Sequence, residues 1–256
     1  MTAGAGEEPS IGAGPATVPP ASLSPIERIV GIFLSPVETL RDIARRPDVL
    51  VPLILVIVVS LGATAVAMQH IDFGADIRAS FEESGRKMTA EQTARAMKWG
   101  VAIGKTAAWA SPILAPAFWA LYAGIVLVAF RLFGADMTFR QSFAVKIYSV
   151  LPGLLRGIIT TIVVSTRGIV PARSMATIVR SNPGFLFDLK TQPVLFALAT
   201  QFDIFSLWAL VLSIIGYAFA ANVSRTRAAL LVVAIFLAGV FLSVGFAAIG
   251  AGMKGR

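Results

Sequence analysis

The chain has 256 residues, of which 56% are hydrophobic and only 14% are charged, and its formal net charge is +8. Soluble domains carry about 25% charged residues, so this composition excludes an ordinary soluble domain and predicts an all-α, polytopic membrane protein. The absence of cysteine excludes disulfides, thiolate nucleophiles and Cys-ligated metals.

Residues 1–23 are rich in alanine, glycine and proline and show no apolar periodicity. Such a segment buries too little apolar surface to offset the entropy lost on ordering, so we expect a disordered tail. It lacks the basic segment and adjoining apolar run of a secretory signal. We therefore expect the first span to remain as an uncleaved anchor.

Residues 24–47 are predicted to form two short amphipathic helices. Ser24-Pro25-Ile26-Glu27 recurs as Ser35-Pro36-Val37-Glu38. In each copy serine can cap the first amides, proline suits the first helical position, and glutamate can complete a capping box. Pro47 ends the second helix.

The two helices each have one apolar face, and arginines gather near the end of the second. In one interpretation the helices lie on the membrane, with Arg41, Arg45 and Arg46 touching anionic headgroups. In the other, the apolar faces cover the cytoplasmic end of the helix bundle. Both interpretations stay open, because sequence does not distinguish burial by lipid from burial by protein.

Residues 48–252 are predicted to form a five-span membrane domain. A hydrocarbon core about 30 Å thick requires about 20 mostly apolar residues per helix. Five stretches meet this requirement: Leu50–Met68, Ala108–Phe130, Phe143–Val164, Ile204–Asn222 and Ala228–Ile249. The short connectors after the second and fourth spans carry arginines, which favours a cytosolic N-terminus. Arginine far exceeds lysine and alanine is abundant, which suggests a GC-rich bacterial genome. For a helical membrane protein we therefore expect the bacterial cytoplasmic (inner) membrane.

The connections between spans carry helix and turn signals. Thr89-Ala90-Glu91-Gln92 is a capping box that predicts a surface helix before the second span. In the loop from Thr166 to Asp203, Asn182-Pro183-Gly184 predicts a turn. Gln192-Pro193 then precedes a short apolar run, which predicts a short helix.

The third predicted span contains a deeply placed charge, Arg156. Spacings of three and four residues put it on one polar helical stripe, whose members are Lys146, Ser149, Gly153, Arg156 and Thr160. Gly157 and Gly153 form a small-residue pair on this helix. A charge at such depth usually faces a bundle interior or a watery cavity, so the stripe could serve a transporter or channel. The favoured alternative is structural: Arg156 pairs with Asp203 at the start of the fourth span and fixes helix register.

Little in the sequence points to catalysis or to a bound group. His70 is the only histidine, so a zinc site would need carboxylates for nearly all its other ligands. Asp72 lies nearby, but no Gly-x-Ser-x-Gly motif is present. The basic residues form no single patch that would suit nucleic acid. We therefore expect no catalytic residues, cofactor, metal or nucleic-acid partner.

Motifs spread over nearly all of the chain after Ser24 resemble the YIP family of Ypt/Rab-interacting membrane proteins. The first group precedes and enters the first span: Phe33-Leu34-Ser35-Pro36-Val37-Glu38-Thr39-Leu40, Pro47 and Val51-Pro52-Leu53-Ile54. The second lies in the middle of the chain: Phe133-Gly134, Phe139 to Ala144 and Val150-Leu151-Pro152. The third covers the fourth span and the following connector: Asp203 to Trp208, Ile215-Gly216 and Arg227-Ala228. The bacterial branch of the family is the closer one.

The resemblance implies five spans, a cytosolic N-terminus and no catalytic residues. Eukaryotic members associate with small GTPases and act in membrane traffic, so small GTPase binding follows for this chain only by family analogy. We therefore expect a non-enzymatic integral membrane protein that organises the lipid bilayer or partner proteins. Those partners would be other membrane proteins or further copies of the chain.

Overall fold

The computed structural model describes residues 23–84 and 89–254 and is largely helical. All but the last residue of the predicted tail, residues 1–23, lies outside the described residues. The helices and the single pair of short strands within the described residues follow in chain order: α1 Pro25–Leu34, α2 Pro36–Arg45, α3 Leu50–Ala67, β1 Ile71–Asp72, α4 Phe73–Ser84, α5 Ala90–Leu132, α6 Phe139–Ser149, α7 Leu151–Arg167, β2 Val170–Pro171, α8 Pro193–Gln201, α9 Ile204–Ala220 and α10 Arg225–Lys254. The predicted all-α membrane fold is confirmed.

The first capping box is present and the second is not. At the start of α1 the Ser24 side chain accepts from the Glu27 amide, and the Glu27 carboxylate accepts from the Ser24 amide. At the start of α2 the Ser35 side chain makes no capping bond. An N-cap needs extended backbone, but Ser35 also closes α1, donating to the Gly31 carbonyl with ψ of 62°. The prediction of a capping box at Ser35 was therefore wrong.

Within residues 23–84 and 89–254, four helical segments are long and apolar enough to cross a membrane: Leu50–Ala67, Ala90–Leu132, Phe139–Arg167 and Arg225–Gly250. The predicted fourth span is different. Its helix, α9, has 17 residues and reaches about 26 Å, less than a hydrocarbon core of about 30 Å. It meets α8 at 47°, and the two helices make a fifth span only if they act as one. The described part of the chain therefore contains four candidate spans, or up to five.

The third predicted span is interrupted in its first half. It consists of α6 and α7, which are separated at Val150, and Pro152 lies in the first turn of α7. Proline has no amide hydrogen to continue the preceding helix. The polar stripe predicted along one continuous helix is therefore divided between α6 and α7.

The predicted surface helix before the second span is not a separate element. The Thr89 capping box is present, with mutual bonds to Gln92. It opens α5, which runs for 43 residues through Pro112 and Pro116. At 1.5 Å per residue this helix is about 65 Å long, roughly twice the hydrocarbon thickness.

The connections opposite the N-terminal helices form a small folded layer. Ile71 pairs with Val170 in a two-residue parallel ladder. Two short 3-10 helices follow, Ala172–Ala176 and Pro183–Leu186. Asn182 caps the second of these, and α8 begins at Pro193, so the predicted turn and short helix are both present.

The buried core lies where α2 crosses the ends of the membrane helices. One cluster joins α2 to α5, α6, α9 and α10, and includes Ala44, Phe130, Val145 and Tyr217. A second joins α1 and α2 to α3, α6 and α9. Leu40 and Ile43 of α2 are fully buried in this second cluster. The apolar face of α2 is therefore covered by protein.

Candidate functional site

A buried arginine holds the two N-terminal helices together. Arg28 of α1 has a side chain only 4% exposed, and its Nε donates to Asp42 Oδ2 of α2 over 2.8 Å. One terminal nitrogen lies 2.6 Å from Asp48 Oδ2, before α3, and donates to the carbonyl of Arg46 over 2.9 Å. We call Arg28, Asp42, Asp48 and Tyr148 the Arg28 network. It fastens α1, α2 and the start of α3 to one another.

Tyr148 and a glutamine extend this fastening to the membrane helices. The fully buried Tyr148 of α6 donates its hydroxyl to Asp48 Oδ1 over 2.9 Å. Nearby, Gln141 of α6 donates its side-chain amide to the carbonyl of Ala44 at the end of α2. Both contacts join segments about one hundred residues apart, so they fix the N-terminal helices to the bundle.

The charges of the Arg28 network support one another. Burial by itself disfavours the charged guanidinium. Hydrogen bonding to Asp42 and the charges of Asp42 and Asp48 outweigh it, so the pKa of Arg28 lies above its ordinary value. The Arg28 guanidinium is charged at every physiological pH. A change of pH therefore does not break the Arg28 network by removing this charge.

The outer surface of the N-terminal helices is apolar on α1 and basic on α2. Ile26 and Leu34 of α1 are 70% and 79% exposed, and Val30 between them is 49% exposed. On α2 the three predicted headgroup contacts are all exposed: Arg41, Arg45 and Arg46. Among the described residues none of the three forms an ion pair, although Arg41 lies over the Phe219 ring at 5.0 Å. We call this surface the amphipathic face.

Arg156 and Asp203 form an ion pair in the structure. The Arg156 Nε lies 3.1 Å from Asp203 Oδ2, and the Asp203 side chain is only 3% exposed. Asp203 also caps α9 by accepting from the Phe205 amide, and it accepts the Ser181 hydroxyl. Arg156 in turn donates to the carbonyl of Ala176 over 3.4 Å. The pair therefore ties α7 to α9 and to the loop between them.

The other residues of the predicted stripe are not brought together with Arg156. Lys146 is half-buried on α6, with its Nζ 4.2 Å from the centre of the Tyr122 ring on α5. Ser149 is fully buried, and its hydroxyl has no hydrogen-bond partner. Thr160 is half-buried on α7. A continuous polar path along one helical face is therefore absent from the described residues.

Gly153 and Gly157 do not form a tight helix contact. A Cβ added at either position would meet nothing within 4 Å. Both line a cleft of about 380 Å³ between α3, α5 and α7. Hydroxyl groups from Ser60, Thr64 and Ser111 line it as well. Gly153 and Gly157 therefore leave an open cleft between the helices and do not bring two helices into close contact.

The Arg28 network was not found from the sequence. Nothing in the immediate sequence neighbours of Arg28 marks this residue as buried. The only available signal was its place on α1, close to the apolar positions Ile29 and Phe33. Its partners are separated from it by 14 and 20 residues, which exceeds any helical period.

The described residues contain no group of three or more histidine, cysteine, aspartate or glutamate side chains able to hold a metal ion. In a comparison with known families, the family model described as Yip1 domain matches residues 30–247. No curated protein and no solved structure matches the chain. The matched region begins within α1 and ends within α10, so it includes nearly all of the membrane domain.

Proposed function

This chain belongs to the Yip1 domain family, and we propose that it is a non-enzymatic integral membrane protein that organises membrane lipids or partner proteins through its N-terminal helices. One observation carries the proposal. The Arg28 network and the buried face of α2 hold the helices rigidly on the bundle, while the amphipathic face stays uncovered. A surface with apolar side chains beside unpaired arginines suits a membrane interface with anionic lipid.

The two interpretations left open by the sequence apply to different helices. Leu40, Ile43 and Ala44 of α2 are buried by protein, as the packing interpretation expects. Ile26 and Leu34 of α1 are uncovered, as the membrane interpretation expects. We infer that α2 is the structural base and that α1, with the arginines of α2, is the part that meets lipid.

Lipid contact is tested with a single fluorescent label, because the chain has no native cysteine. Val30→Cys carries an environment-sensitive dye on α1, and the full chain is reconstituted in nanodiscs containing spin-labelled lipid. We expect strong quenching at position 30 and weak quenching at the exposed control position Glu91→Cys. Replacing Arg41, Arg45 and Arg46 with glutamine should reduce quenching by anionic spin-labelled lipid and leave quenching by neutral lipid unchanged. Equal, weak quenching at both label positions would count against the proposal.

We also propose a cytosolic N-terminus in a bacterial cytoplasmic membrane. The end of the bundle that carries α1 and α2 also carries exposed arginines on its connectors: Arg131, Arg140, Arg225 and Arg227. This accumulation follows the positive-inside tendency. Asp136→Cys at this end should resist a membrane-impermeant maleimide added to intact cells, and Ser165→Cys at the other end should react. If position 136 reacts and position 165 resists, the N-terminus lies on the outer side of the membrane.

The partners proposed for the amphipathic face are membrane proteins or further copies of the chain. Small GTPase binding is proposed only by analogy with the family. Proximity labelling from the N-terminus in native membranes identifies the neighbours, and Arg28→Met is the matched variant because it should release the helices. If the natural chain and the Arg28→Met variant label the same neighbours, the packing of α1 and α2 on the bundle is not what recruits those neighbours.

Transport along the Arg156 stripe is the rival function. It requires a connected polar path, whereas Arg156 is neutralised by Asp203 and Lys146 lies against Tyr122. Arg156→Leu should leave any flux through reconstituted protein unchanged if the pair is structural. A loss of flux in correctly folded Arg156→Leu protein would favour the rival.

A further inference from the structure

We propose that a cavity in the loop between α7 and α9 binds an anionic phosphate group. The cavity lies at the end of the bundle opposite the N-terminal helices and has a volume of about 320 Å³. Two arginines line it, Arg167 at the end of α7 and Arg180 in the loop. The proposal stands independently of lipid contact by the amphipathic face.

The two arginines have no carboxylate of their own. Within residues 23–84 and 89–254, neither Arg167 nor Arg180 forms an ion pair. The acids nearby on the same layer are already engaged. Asp76 pairs with Arg173, and Asp188 accepts from the amides of its own turn. Two like charges beside one cavity repel each other, and a bound anion would relieve that repulsion.

Beside the two arginines, the cavity is lined by hydroxyl-bearing residues that can bind phosphate oxygens, and by three phenylalanines, two aliphatic residues and a glycine that form its apolar wall. Ser174 and Thr177 place two hydroxyl-bearing side chains beside the cavity, which can donate to further oxygens. Guanidinium groups bind phosphate through paired N–H donors. Arg180 also lies over the Phe185 ring at 5.4 Å, which limits the positions it can adopt. The site therefore offers several hydrogen-bond donors to a group with several acceptor oxygens.

The cavity is held in place by the ion pair described above. Arg156 and Asn182 both donate to the carbonyl of Ala176, next to Thr177. Ser181, next to Arg180, donates to Asp203. The loop that carries the cavity is thus fastened to α7 and α9 on both sides. This gives the Arg156–Asp203 pair a positioning role for the site.

A phosphate group could reach this site on a phospholipid or as a dissolved ion. Arg167 ends a membrane-spanning helix, which places it near headgroup depth. Arg180 in the loop is exposed, so a dissolved ion can also reach the cavity. The two sources share the same recognition chemistry, so the experiment has to distinguish them.

The test uses the purified full-length chain in neutral detergent with two probes. Phosphatidylglycerol binding is measured by native mass spectrometry over a range of lipid concentrations, with diacylglycerol as the lipid that lacks phosphate. Inorganic phosphate binding is measured by calorimetry. The test variant is Arg167→Gln/Arg180→Gln. The control is Arg95→Gln/Lys98→Gln, which removes the same charge from exposed positions on α5 away from the cavity.

We expect the test variant to lose about tenfold in affinity for each arginine, the loss typical of a charge-assisted hydrogen bond. The control variant should bind like the natural chain. Loss for phosphatidylglycerol alone identifies a lipid headgroup, and loss for inorganic phosphate identifies a dissolved anion. If the double variant fails to fold, Arg167→Gln and Arg180→Gln are measured singly. The proposal is overturned if neither probe binds the natural chain, or if every probe that binds the natural chain binds the test variant equally.

Discussion

Replacing Arg28 with methionine should release the N-terminal helices from the bundle. Methionine keeps most of the apolar volume but removes three charge-assisted contacts, to Asp42, Asp48 and the carbonyl of Arg46. Removing one partner of a buried ion pair typically costs about 3–5 kcal/mol. The side chains of Asp42 and Asp48 are 20% and 31% exposed, so water can partly replace the lost partner. We therefore expect a cost near the lower end, about 3 kcal/mol.

The opening is measured through a cysteine placed beneath the helices. Thr39 of α2 is fully buried, so Thr39→Cys reacts with a maleimide only when the helices open. At about 1.4 kcal/mol per factor of ten, adding Arg28→Met should raise the labelling rate about 100-fold. The control is Arg45→Met in the same background, which removes an exposed charge that has no ion pair within the described residues. It should change the rate less than about threefold.

The reasoning is refuted if Arg28→Met changes the labelling rate no more than Arg45→Met does. That result would mean that the apolar contacts of α2 alone hold the helices in place. A large increase in both variants would instead indicate a general effect of charge on the labelling reaction.

Three further predictions follow from other contacts. Tyr148→Phe removes one hydroxyl bond of 2.9 Å, so Thr39→Cys labelling should rise about fivefold, equivalent to about 1 kcal/mol. Arg156→Leu leaves the buried carboxylate of Asp203 without its cation and should lower the free energy of unfolding in detergent by about 2 kcal/mol. Adding Asp203→Asn should recover part of this loss. If the losses of the two single variants simply add in the double variant, the two residues are not coupled. Gly31→Ala places a Cβ against Thr39 Oγ1 and should cost about 1–3 kcal/mol by thermal unfolding, whereas the same change in a Thr39→Ala background should cost little.

The membrane character of the chain was predictable because it follows from local composition. Four of the predicted spans correspond to long apolar helical segments. The capping boxes at Ser24 and Thr89 are both formed, since each involves residues only three positions apart. The capping box predicted at Ser35 is absent because the preceding helix uses the same residue. Ser35 ends one helix as well as beginning the next, and its backbone cannot serve both roles.

The continuity of helices was harder to predict than their existence. The Thr89 signal opens a helix that continues without interruption into the second span, because Pro112 and Pro116 do not end it. The third span, in contrast, is divided into two helices at Val150, two residues before Pro152. A proline in an apolar stretch therefore gave the same sequence signal for two different outcomes.

By itself, the sequence determined that this protein lies in a membrane, where most of its helices are and which family it resembles. Hydropathy, capping and turn signals act over a few residues and can be read along one chain. Only the tertiary structure decided that Arg28 is buried, that α2 is covered by protein while α1 is not, and that Arg167 and Arg180 share a cavity. An arginine has the same local signal whether it meets a carboxylate, a headgroup or water. Its energy depends on charges and burial supplied by segments far away in the chain, and those are set only when the helices pack.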